Sequence, residues 1–265
     1  MPARGEQYFF ISSLAKGLKV LELLAEKQAL KVSEVARHLG QNRAASHRFL
    51  ATLRKLGYVE KDEDDRYRLT FRVLELGMKV ANRNEVLRIV RPYMQELSLA
   101  FNETVNLGYF DGRDILHVDK IDSKEVLRMD SDLGSRAPAY CTALGKVLLA
   151  FLPKEARMDY LQQQRLRPQG PNTITSRKQL YNEIDRIREQ GYAVDNEELA
   201  PGLRCVAAPV FDHTGRAAYA ISVSGPAVRM TLERIECIQP RLSQVCEKIS
   251  ARLGHSEESI PLQKV

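Results

Sequence analysis

The segment from Gln41 to Gly57 constrains the fold of this 265-residue chain most, because it predicts a helix with two chemically different faces. Asn42 is a suitable N-cap, and Gly57 ends the helical pattern. One face is an apolar stripe of Ala45, Phe49, Leu53 and Leu56. The opposite face is cationic with small residues between the charges, and the segment contains no Asp or Glu, which a merely solvated face usually carries. Such a helix suits the major groove of DNA, where short side chains let the backbone approach and long cations reach base edges and phosphates.

Two shorter helices are predicted before this segment. From Ser13 onward, apolar residues recur near the spacing of one helical face, at Leu14, Leu18, Leu21 and Leu24. Ser33 is placed to cap a second helix that ends at Gly40. A tight turn, Gly40-Gln41-Asn42, then leads into the third helix, so the pattern predicts a helix-turn-helix.

A predicted hairpin follows the third helix. Residues 58–60 and 67–69 alternate in the manner of strands around the polar segment 62–66, which is typical of a wing. Because the acidic tip would repel phosphate, only Lys61, Arg66 and Arg68 of the hairpin are expected to approach DNA. The full set of predicted DNA contacts is Gln41, Asn42, Arg43, Ala44, His47, Arg48, Arg54, Lys61, Arg66 and Arg68.

The net charge of +6 is confined to the first third of the chain. Residues 1–84 contain 16 Lys and Arg against 10 Asp and Glu, whereas the remaining residues contain 24 of each kind. This distribution favours a polyanion-binding module joined to a body with another task. A solvated basic surface that arose by chance is the alternative.

The pattern also predicts where the modules divide. Thr70 caps a predicted helix through about Asn82, whose apolar residues suit either a linker or a dimer seam. We therefore predict a DNA-binding domain over 1–70, a linker helix over 71–84, a second domain over 85–254 and a flexible tail over 255–265. The elements expected in the second domain are a helix to Phe101, strands over 104–110, 115–121 and 126–130, a helix over 142–152 stopped by Pro153, a helix over 177–190, a hairpin of 206–211 with 217–224, and a helix over 232–253.

Two places in the second domain have the chemistry of a binding site. A helix start at Cys141-Thr142-Ala143-Leu144-Gly145 offers unpaired backbone N–H groups among small residues, which is a cradle for an anion. Ser222 and Ser224 lie at i and i+2 of a predicted strand, so both hydroxyls face the same side. Taken alone, such features are mostly structural.

Several stretches of the chain resemble the IclR-type bacterial transcription regulators. They are SLAKGLKVLELL, VSEVARHLG, ASHRFLATLRKLGYVEKD, YRLTFRVLELG, RPYMQEL, APAYCTALGKVLLA, GYAVDNEELAPGLRCVAAPVFD and AISVSGP. Together they run from about Ser13 to Leu253, and their order and spacing make the resemblance specific. One departure is Ala44-Ala45, where family recognition helices often begin with a Ser-Thr pair, and this shifts the expected contacts toward Arg43, His47 and Arg48.

The resemblance implies an α+β fold and a sensory function. The expected architecture is an N-terminal winged helix-turn-helix, a linker helix, and a C-terminal α/β effector domain of the GAF and profilin type with an antiparallel sheet. The implied partners are a double-stranded palindromic DNA operator, a small organic acid, a second copy of the chain in a dimer or tetramer, and RNA polymerase if the protein activates transcription. No cofactor and no membrane partner are expected.

The effector pocket implied by the resemblance involves Ala143, Leu144, Asp195, Leu203, Cys205, Ser222 and Ser224. We add Cys141 and Thr142 from the helix start, and Met129, Leu133 and Tyr140 as walls by position. Asp195 would repel an anionic ligand unless it is protonated or pairs with a ligand hydroxyl, which favours a keto or hydroxy acid.

Two other functional classes remain open from the sequence. An enzyme lacks support, because no G-x-S-x-G, H-E-x-x-H, P-loop or G-x-G-x-x-G motif is present, and His117 is expected to be packed or exposed. A metal or thiol-redox sensor is possible through Cys205 with His213, or through Cys141, whose pKa a helix start would lower. The four cysteines are widely spaced, and no apolar run approaches a membrane span, so a soluble intracellular protein is expected.

Overall fold

The computed structural model describes residues 10–129 and 131–256, which form two compact units that divide between Asn84 and Glu85. Most of the predicted tail, and the last residue of the strand predicted over 126–130, lie outside the described residues.

The N-terminal unit is a helix-turn-helix with a small antiparallel sheet. Its elements are α1 (Ser12–Lys27), β1 (Ala29–Leu30), α2 (Val32–Leu39), α3 (Arg43–Lys55), β2 (Val59–Lys61), β3 (Tyr67–Leu69) and α4 (Phe71–Arg83). The strands pair in the order β1-β3-β2, and β2 with β3 forms the predicted wing. A core cluster that includes Val20, Leu24, Val35, Leu50 and Tyr67 joins these elements.

The predicted cap of α3 is confirmed, but the most buried residues of the helix lie one position after those of the predicted apolar face. The Asn42 side chain accepts a hydrogen bond of 2.7 Å from the Ala45 amide. Leu50 and Ser46 are the buried residues of α3, whereas Leu56 is exposed. The buried face shifts by about one residue because Leu50 is the side chain that reaches the cluster around Val20.

The helix predicted from Ser13 is confirmed as α1, whereas the cap predicted for α2 was wrong. Leu14 and Leu18 are exposed, since only the later turns of α1 contribute buried residues to the core, at Val20, Leu23 and Leu24. Ser33 does not cap α2, which begins two residues earlier than predicted, with Lys31 as its N-cap. The Lys31 amide donates to the Glu34 carboxylate at 2.7 Å, and this contact closes the first turn.

Helix α4 was predicted within one residue at its end, with Thr70 as its N-cap. The helix has no buried residue. Its large apolar side chains are instead exposed, and they include Phe71, Leu74, Met78 and Val80.

The second unit is a six-stranded antiparallel sheet with helices on both faces, which confirms the α+β prediction. Its elements are α5 (Glu85–Phe101), β4 (Thr104–Phe110), β5 (Asp114–Ile121), β6 (Arg136–Pro138), a 3-10 turn (Ala139–Cys141), α6 (Ala143–Ala150), α7 (Lys154–Gln163), α8 (Arg177–Gln190), β7 (Ala193–Asn196), β8 (Leu203–Phe211), β9 (Ala217–Pro226) and α9 (Leu232–Arg252). The strand order is β6-β5-β4-β9-β8-β7.

The sheet separates two hydrophobic clusters, because successive side chains of a strand point to opposite faces. On β8, Cys205 and Ala207 pack with α6 and α8, while Val206 and Ala208 pack with α5 and α9. Strands β8 and β9 are therefore buried on both faces. None of the described helices has the length and apolar character that a membrane span requires.

The prediction of a strand over 126–130 was wrong. Val126 is 98% exposed, and the strand that pairs with β5 is β6, ten residues further along. The segment before β6 is held by side-chain contacts instead, since the Thr104 hydroxyl donates to the Met129 carbonyl at 3.2 Å. Four elements were missed, namely β1, β6, α7 and β7. Helix α6 ends two residues before its predicted end, and Pro153 is the N-cap of α7.

Gly145 in α6 allows the helix to lie against the 3-10 turn. A Cβ at this position would lie 2.2 Å from the Ala139 carbonyl oxygen. We expect Gly145→Ala to lower the free energy of unfolding by about 1 to 3 kcal/mol through overpacking. The control Gly17→Ala, whose Cβ would meet only Phe49 at 3.9 Å, should be neutral or stabilising by up to about 1 kcal/mol. Urea unfolding followed by circular dichroism measures both, and equal effects would contradict the account.

Candidate functional site

The outward face of α3 is a free cationic surface. The predicted groove-facing residues are all exposed, namely Arg43, Ala44, His47, Arg48, Ala51 and Arg54. Four of these residues are basic, and none of the four makes an ion pair with another described residue. They are Arg43, His47, Arg48 and Arg54. Gln41, before the cap, is half-buried, and Asn42 is engaged as the cap itself. This face can therefore receive base edges and phosphates without first breaking an internal contact.

The cations of the wing, in contrast, are already paired with carboxylates. Lys61 pairs with Asp65, and this contact raises the pKa of Lys61 above its ordinary value. Arg68 pairs with Glu60 at 2.7 Å, and Arg66 reaches Glu34 and the Ala29 carbonyl at 3.4 Å. Any phosphate at the wing must compete with these carboxylates.

A small cavity lies in the C-terminal unit between the sheet and the start of α6. Its volume is about 20 Å³, which is room for about one water molecule. It brings together eight of the twelve predicted effector residues: Met129, Thr142, Ala143, Leu144, Asp195, Cys205, Ser222 and Ser224. Four further residues line it that sequence reasoning did not assign, namely Asn106, Ile115, His117 and Leu199.

Strand register explains why residues distant in sequence meet at this cavity. Asp195 on β7 is opposite Cys205 on β8, and Cys205 is opposite Ser224 on β9. Opposite residues in neighbouring strands project to the same face. The three side chains therefore form a row across the sheet, and Ser222 lies two residues further along the same face.

A chain of buried hydrogen bonds connects the serines to the segment before β6. The side-chain NH2 of Asn106 donates to the Ser224 hydroxyl at 3.3 Å. The Ser131 hydroxyl donates to the side-chain oxygen Oδ1 of Asn106 at 2.9 Å. The hydroxyls of Ser222 and Ser224 are 3.2 Å apart. A ligand that bonds to either serine would therefore affect the position of Asn106.

Asp195 presents one carboxylate oxygen without a partner. Its Oδ1 accepts hydrogen bonds from the amides of Glu198 at 2.7 Å and Leu199 at 3.4 Å. Its Oδ2 is buried with no hydrogen-bond partner. Burial, together with the charge of Glu198, raises the pKa of Asp195 to about 7, so a substantial fraction is protonated at neutral pH and can donate to a ligand oxygen.

His117 is the most informative residue that sequence reasoning missed. It is 6% exposed, its Nδ1 has no hydrogen-bond partner, and it lines the same cavity as Asp195. Burial and the charge of Lys120 lower its pKa, which favours the neutral imidazole. The alternation of β5 could have indicated that His117 points inward, but no sequence signal gave the position of the cavity.

The start of α6 supplies backbone donors beside these side chains. The Thr142 hydroxyl accepts from the Gly145 amide at 3.1 Å and caps the helix. The amides of Ala143 and Leu144 lie in the first turn, where the helix itself offers no acceptor. The cavity thus combines backbone donors, two hydroxyls, a carboxyl group and an imidazole.

The buried side chain of Lys146 connects α6 with the end of β7, next to the cavity. Lys146 on α6 is fully buried; its ammonium donates to the Val194 carbonyl at 2.7 Å and pairs with Glu198 and, at 3.3 Å, with Glu183. Burial raises the pKa of Glu198. Because the amide of Glu198 binds Asp195, the ion pair also positions the carboxyl group in the cavity.

Four predicted effector residues do not reach the cavity. Leu133 is 57% exposed, because its segment lies outside the sheet. Tyr140 is buried beside α6, and its hydroxyl donates to the Arg167 carbonyl at 2.8 Å instead of reaching the cavity. Cys141 is buried in the 3-10 turn, and Leu203 packs partly buried against the cluster under α6.

The prediction that a helix start lowers the pKa of Cys141 was wrong. Burial, together with the charges of Asp195 and Glu198, raises that pKa to about 12. Burial also raises the pKa of Cys205. Cys141, Cys205 and Cys246 are free and buried, and Cys237 is free and exposed. Within the described residues, no group of three or more His, Cys, Asp and Glu side chains is arranged to hold a metal ion.

Two family models match the chain. Residues 78–251 match the model described as bacterial transcriptional regulator IclR C-terminal. Residues 13–63 match the model described as IclR helix-turn-helix domain. The first match covers the residues of the cavity, and the second covers the cationic helix α3.

Known proteins agree with these matches. The transcriptional regulator KdgR of Escherichia coli K12 is 37% identical over 248 residues, which are 93% of this chain and 94% of KdgR. The crystal structure of the Thermotoga maritima IclR matches with a TM-score of 0.75 and 33% identity, covering 93% of this chain and 100% of that one. An IclR homologue from Microbacterium hydrocarbonoxydans, complexed with 4-hydroxybenzoate, shares the fold with a TM-score of 0.81 at 22% identity, over 92% of this chain and 100% of its own.

The raised pKa of Asp195 makes stability depend on pH. Its carboxyl group has a pKa of about 7 in the fold, against 3.8 for the ordinary group. The folded protein therefore binds this proton more tightly than the unfolded chain does. The contribution of this group to the free energy of unfolding decreases as pH rises from about 4 to about 7. Asp195→Asn, which keeps the acceptor for the Glu198 amide, should raise the free energy of unfolding most above pH 7, by at most roughly 4 kcal/mol.

Urea unfolding of the wild type and Asp195→Asn at pH 5 and pH 8 measures this effect. Asp159→Asn, at an exposed position, controls for the loss of one negative charge. A stability difference between wild type and Asp195→Asn that is the same at both pH values would contradict the assignment.

Proposed function

Since this chain belongs to the IclR family of bacterial transcriptional regulators, we propose that it binds a palindromic operator as an oligomer and senses a small organic acid. The family assignment makes the protein a DNA-binding regulator with an effector-binding C-terminal domain. The observation that carries the finer proposal is the cavity at the start of α6, whose unpartnered polar atoms suit an acid with a second oxygen function.

In the proposed complex with DNA, α3 enters the major groove. Arg43, His47 and Arg48 lie nearest the bases, because they are exposed on the turns next to the helix start. Arg54, at the far end, contacts the phosphate backbone. The wing cations contribute less, since each must leave a carboxylate before it can contact a phosphate. Ala44 and Ala45 have no hydroxyl to offer, and in the proposed complex Arg43, His47 and Arg48 make the contacts in their place.

Assembly is proposed to occur through the N-terminal unit. Helix α4 exposes Phe71, Leu74 and Met78, and α1 exposes Leu14 and Leu18. Apolar side chains concentrated on two helices of a DNA-binding unit are typical of a pairing surface. A two-fold dimer would present two α3 helices to half-sites spaced about 10 to 10.5 base pairs apart, or a multiple of that spacing. A tetramer would be a dimer of such dimers.

The effector is proposed to be a keto, hydroxy or aromatic carboxylate. The amides of Ala143 and Leu144 and the hydroxyls of Ser222 and Ser224 receive the carboxylate, since such donors bind anions without a buried arginine. Protonated Asp195 donates to the second oxygen function of the ligand. The Microbacterium protein provides an example of a carboxylate bound to this fold.

Binding requires the cavity to enlarge. A volume of about 20 Å³ is smaller than any of these acids. The wall that can yield is the segment before β6, because it contributes Met129 and is connected to the site through Ser131 and Asn106. This displacement is proposed as the way in which the acid changes the C-terminal domain, and through it the affinity for DNA, in the direction of repression or of activation.

We expect the serine hydroxyls to contribute directly to effector affinity. A thermal-shift screen of carboxylic acids, run from pyruvate to 4-hydroxybenzoate, should yield an acid that stabilises the protein by about 2.7 kcal/mol at 100 times its Kd. Ser222→Ala and Ser224→Ala should each weaken its binding by about 0.5 to 1.5 kcal/mol. Ser243→Ala, whose hydroxyl contacts only Gln239, serves as the control. Full affinity in the double serine variant, measured by calorimetry, would refute the proposed site.

We expect the exposed face of α4 to control assembly. Wild-type protein should sediment as a dimer or larger species at micromolar concentration. Leu74→Glu combined with Met78→Glu should shift it toward the monomer, because two charges would be buried in the pairing surface. Val228→Glu, at an exposed apolar residue of the other unit, should leave the sedimentation coefficient unchanged. A wild-type monomer with and without DNA would disprove this surface.

A further inference from the structure

We propose that a cleft beside the recognition helix α3, formed by Lys16 and Lys19 of α1, binds a phosphate of the DNA backbone. The inference rests on the proposed DNA-binding function and extends it to residues outside the helix-turn-helix and the wing. The cleft has a volume of about 430 Å³ and lies between the first turns of α1 and the turn that joins α2 to α3.

The charge of the cleft is entirely positive. Lys16 and Lys19 are three residues apart on α1, so they share one side of the helix. Both are exposed, and neither makes an ion pair with any residue in the described ranges. No Asp or Glu lines the cleft, and the acidic residues of α1, Glu22 and Glu26, lie beyond it. The two ammonium groups are therefore available to an anion.

Neutral donors surround the two lysines. Ser12 and Ser13 line the cleft, and both side chains are exposed. The first turn of α1 has no side-chain cap, because its N-cap is Ile11. Its amides are thus free of a side-chain acceptor and lie at the positive end of a 16-residue helix. A group with several acceptor oxygens and one negative charge matches this set of donors.

The position of the cleft identifies the anion as a backbone phosphate. Asn42, which caps α3, and Gln41 both line the cleft, and Arg43 follows directly as the first residue of the groove-facing surface. A phosphate bound by the lysines would therefore flank the base pairs that α3 reads. Contacts of this kind fix the register of a recognition helix on the duplex and carry no sequence information themselves.

Non-specific DNA tests the proposal without knowledge of the operator. The probe is a fluorescein-labelled 30-base-pair duplex of random sequence, titrated by anisotropy from 50 to 300 mM KCl. Each phosphate contact contributes about 0.9 to the slope of log K against log salt. Lys16→Gln combined with Lys19→Gln should therefore lower the slope by about 0.9 and reduce affinity about eightfold at 0.1 M salt, since both lysines hold the same phosphate.

Two comparisons make the result decisive. Lys27→Gln removes a charge from the far end of the same helix, so it controls for net charge. It should change the slope by much less than Lys16→Gln or Lys19→Gln, each also measured as a single variant. Arg43→Gln combined with Arg48→Gln tests the α3 face separately. Circular dichroism melting confirms that each variant is folded.

The outcomes separate the two proposals. A wild-type slope in the Lys16 and Lys19 variant, together with weakened binding in the Arg43 and Arg48 variant, would refute the cleft and leave the recognition helix in place. Equal effects of Lys27→Gln and the single cleft variants would also refute the cleft, because net charge alone would explain the loss. Failure of the wild type to bind the duplex would overturn the proposed DNA-binding function as well.

Discussion

The buried ammonium group of Lys146 is the constraint on which the sensory half of the molecule depends. A charge taken out of water is tolerated only when paired and hydrogen-bonded. Here the partners come from three other places: the Val194 carbonyl on β7, Glu198 after it, and Glu183 on α8. The contacts that satisfy this one ammonium group thus connect α6, α8 and the end of β7.

The geometry of the cavity follows from these contacts. The start of α6 supplies the backbone donors, and the amide of Glu198 orients Asp195. Since both are tied to Lys146, the distance between the two sides of the cavity is set by buried charges rather than by the loops that cover it. The segment before β6 contains no buried ion pair among its described residues and is held by neutral hydrogen bonds, from the Ser131 hydroxyl to Asn106 and from the Gly134 amide to the His117 carbonyl.

The N-terminal unit shows the opposite use of charge. In the sensory unit the cation near the site is buried and paired, whereas on α3 the cations are exposed and free. On the wing they are exposed but paired with carboxylates such as Asp65 and Glu60. Such pairs are weak in water, but a phosphate at the wing would have to displace them, whereas the cations of α3 are unpaired. This difference supports the proposal that α3 is the leading contact surface.

Local patterns were enough to predict much of the molecule. The cap at Asn42, the cationic face of α3, the helix over 177–190 and the row of strand serines depend on neighbouring residues, which a sequence displays directly. The family resemblance added the positions of Asp195 and Cys205, which no local pattern connects.

Most of the errors share a physical cause, since they depend on contacts between residues far apart in the chain, whereas the start of α2 is set locally by Lys31 and Glu34. Residues 126–129 have strand-like composition but no partner strand, and Leu14 has helical spacing but no core to face. His117 and Asn106 reach the cavity only because β4 and β5 pair with a particular register. The pKa of Cys141 follows from burial, which overrides the helix start. The sequence by itself determined the elements and their chemical faces; only the tertiary structure decided which faces meet, because burial and pairing are properties of the assembled fold.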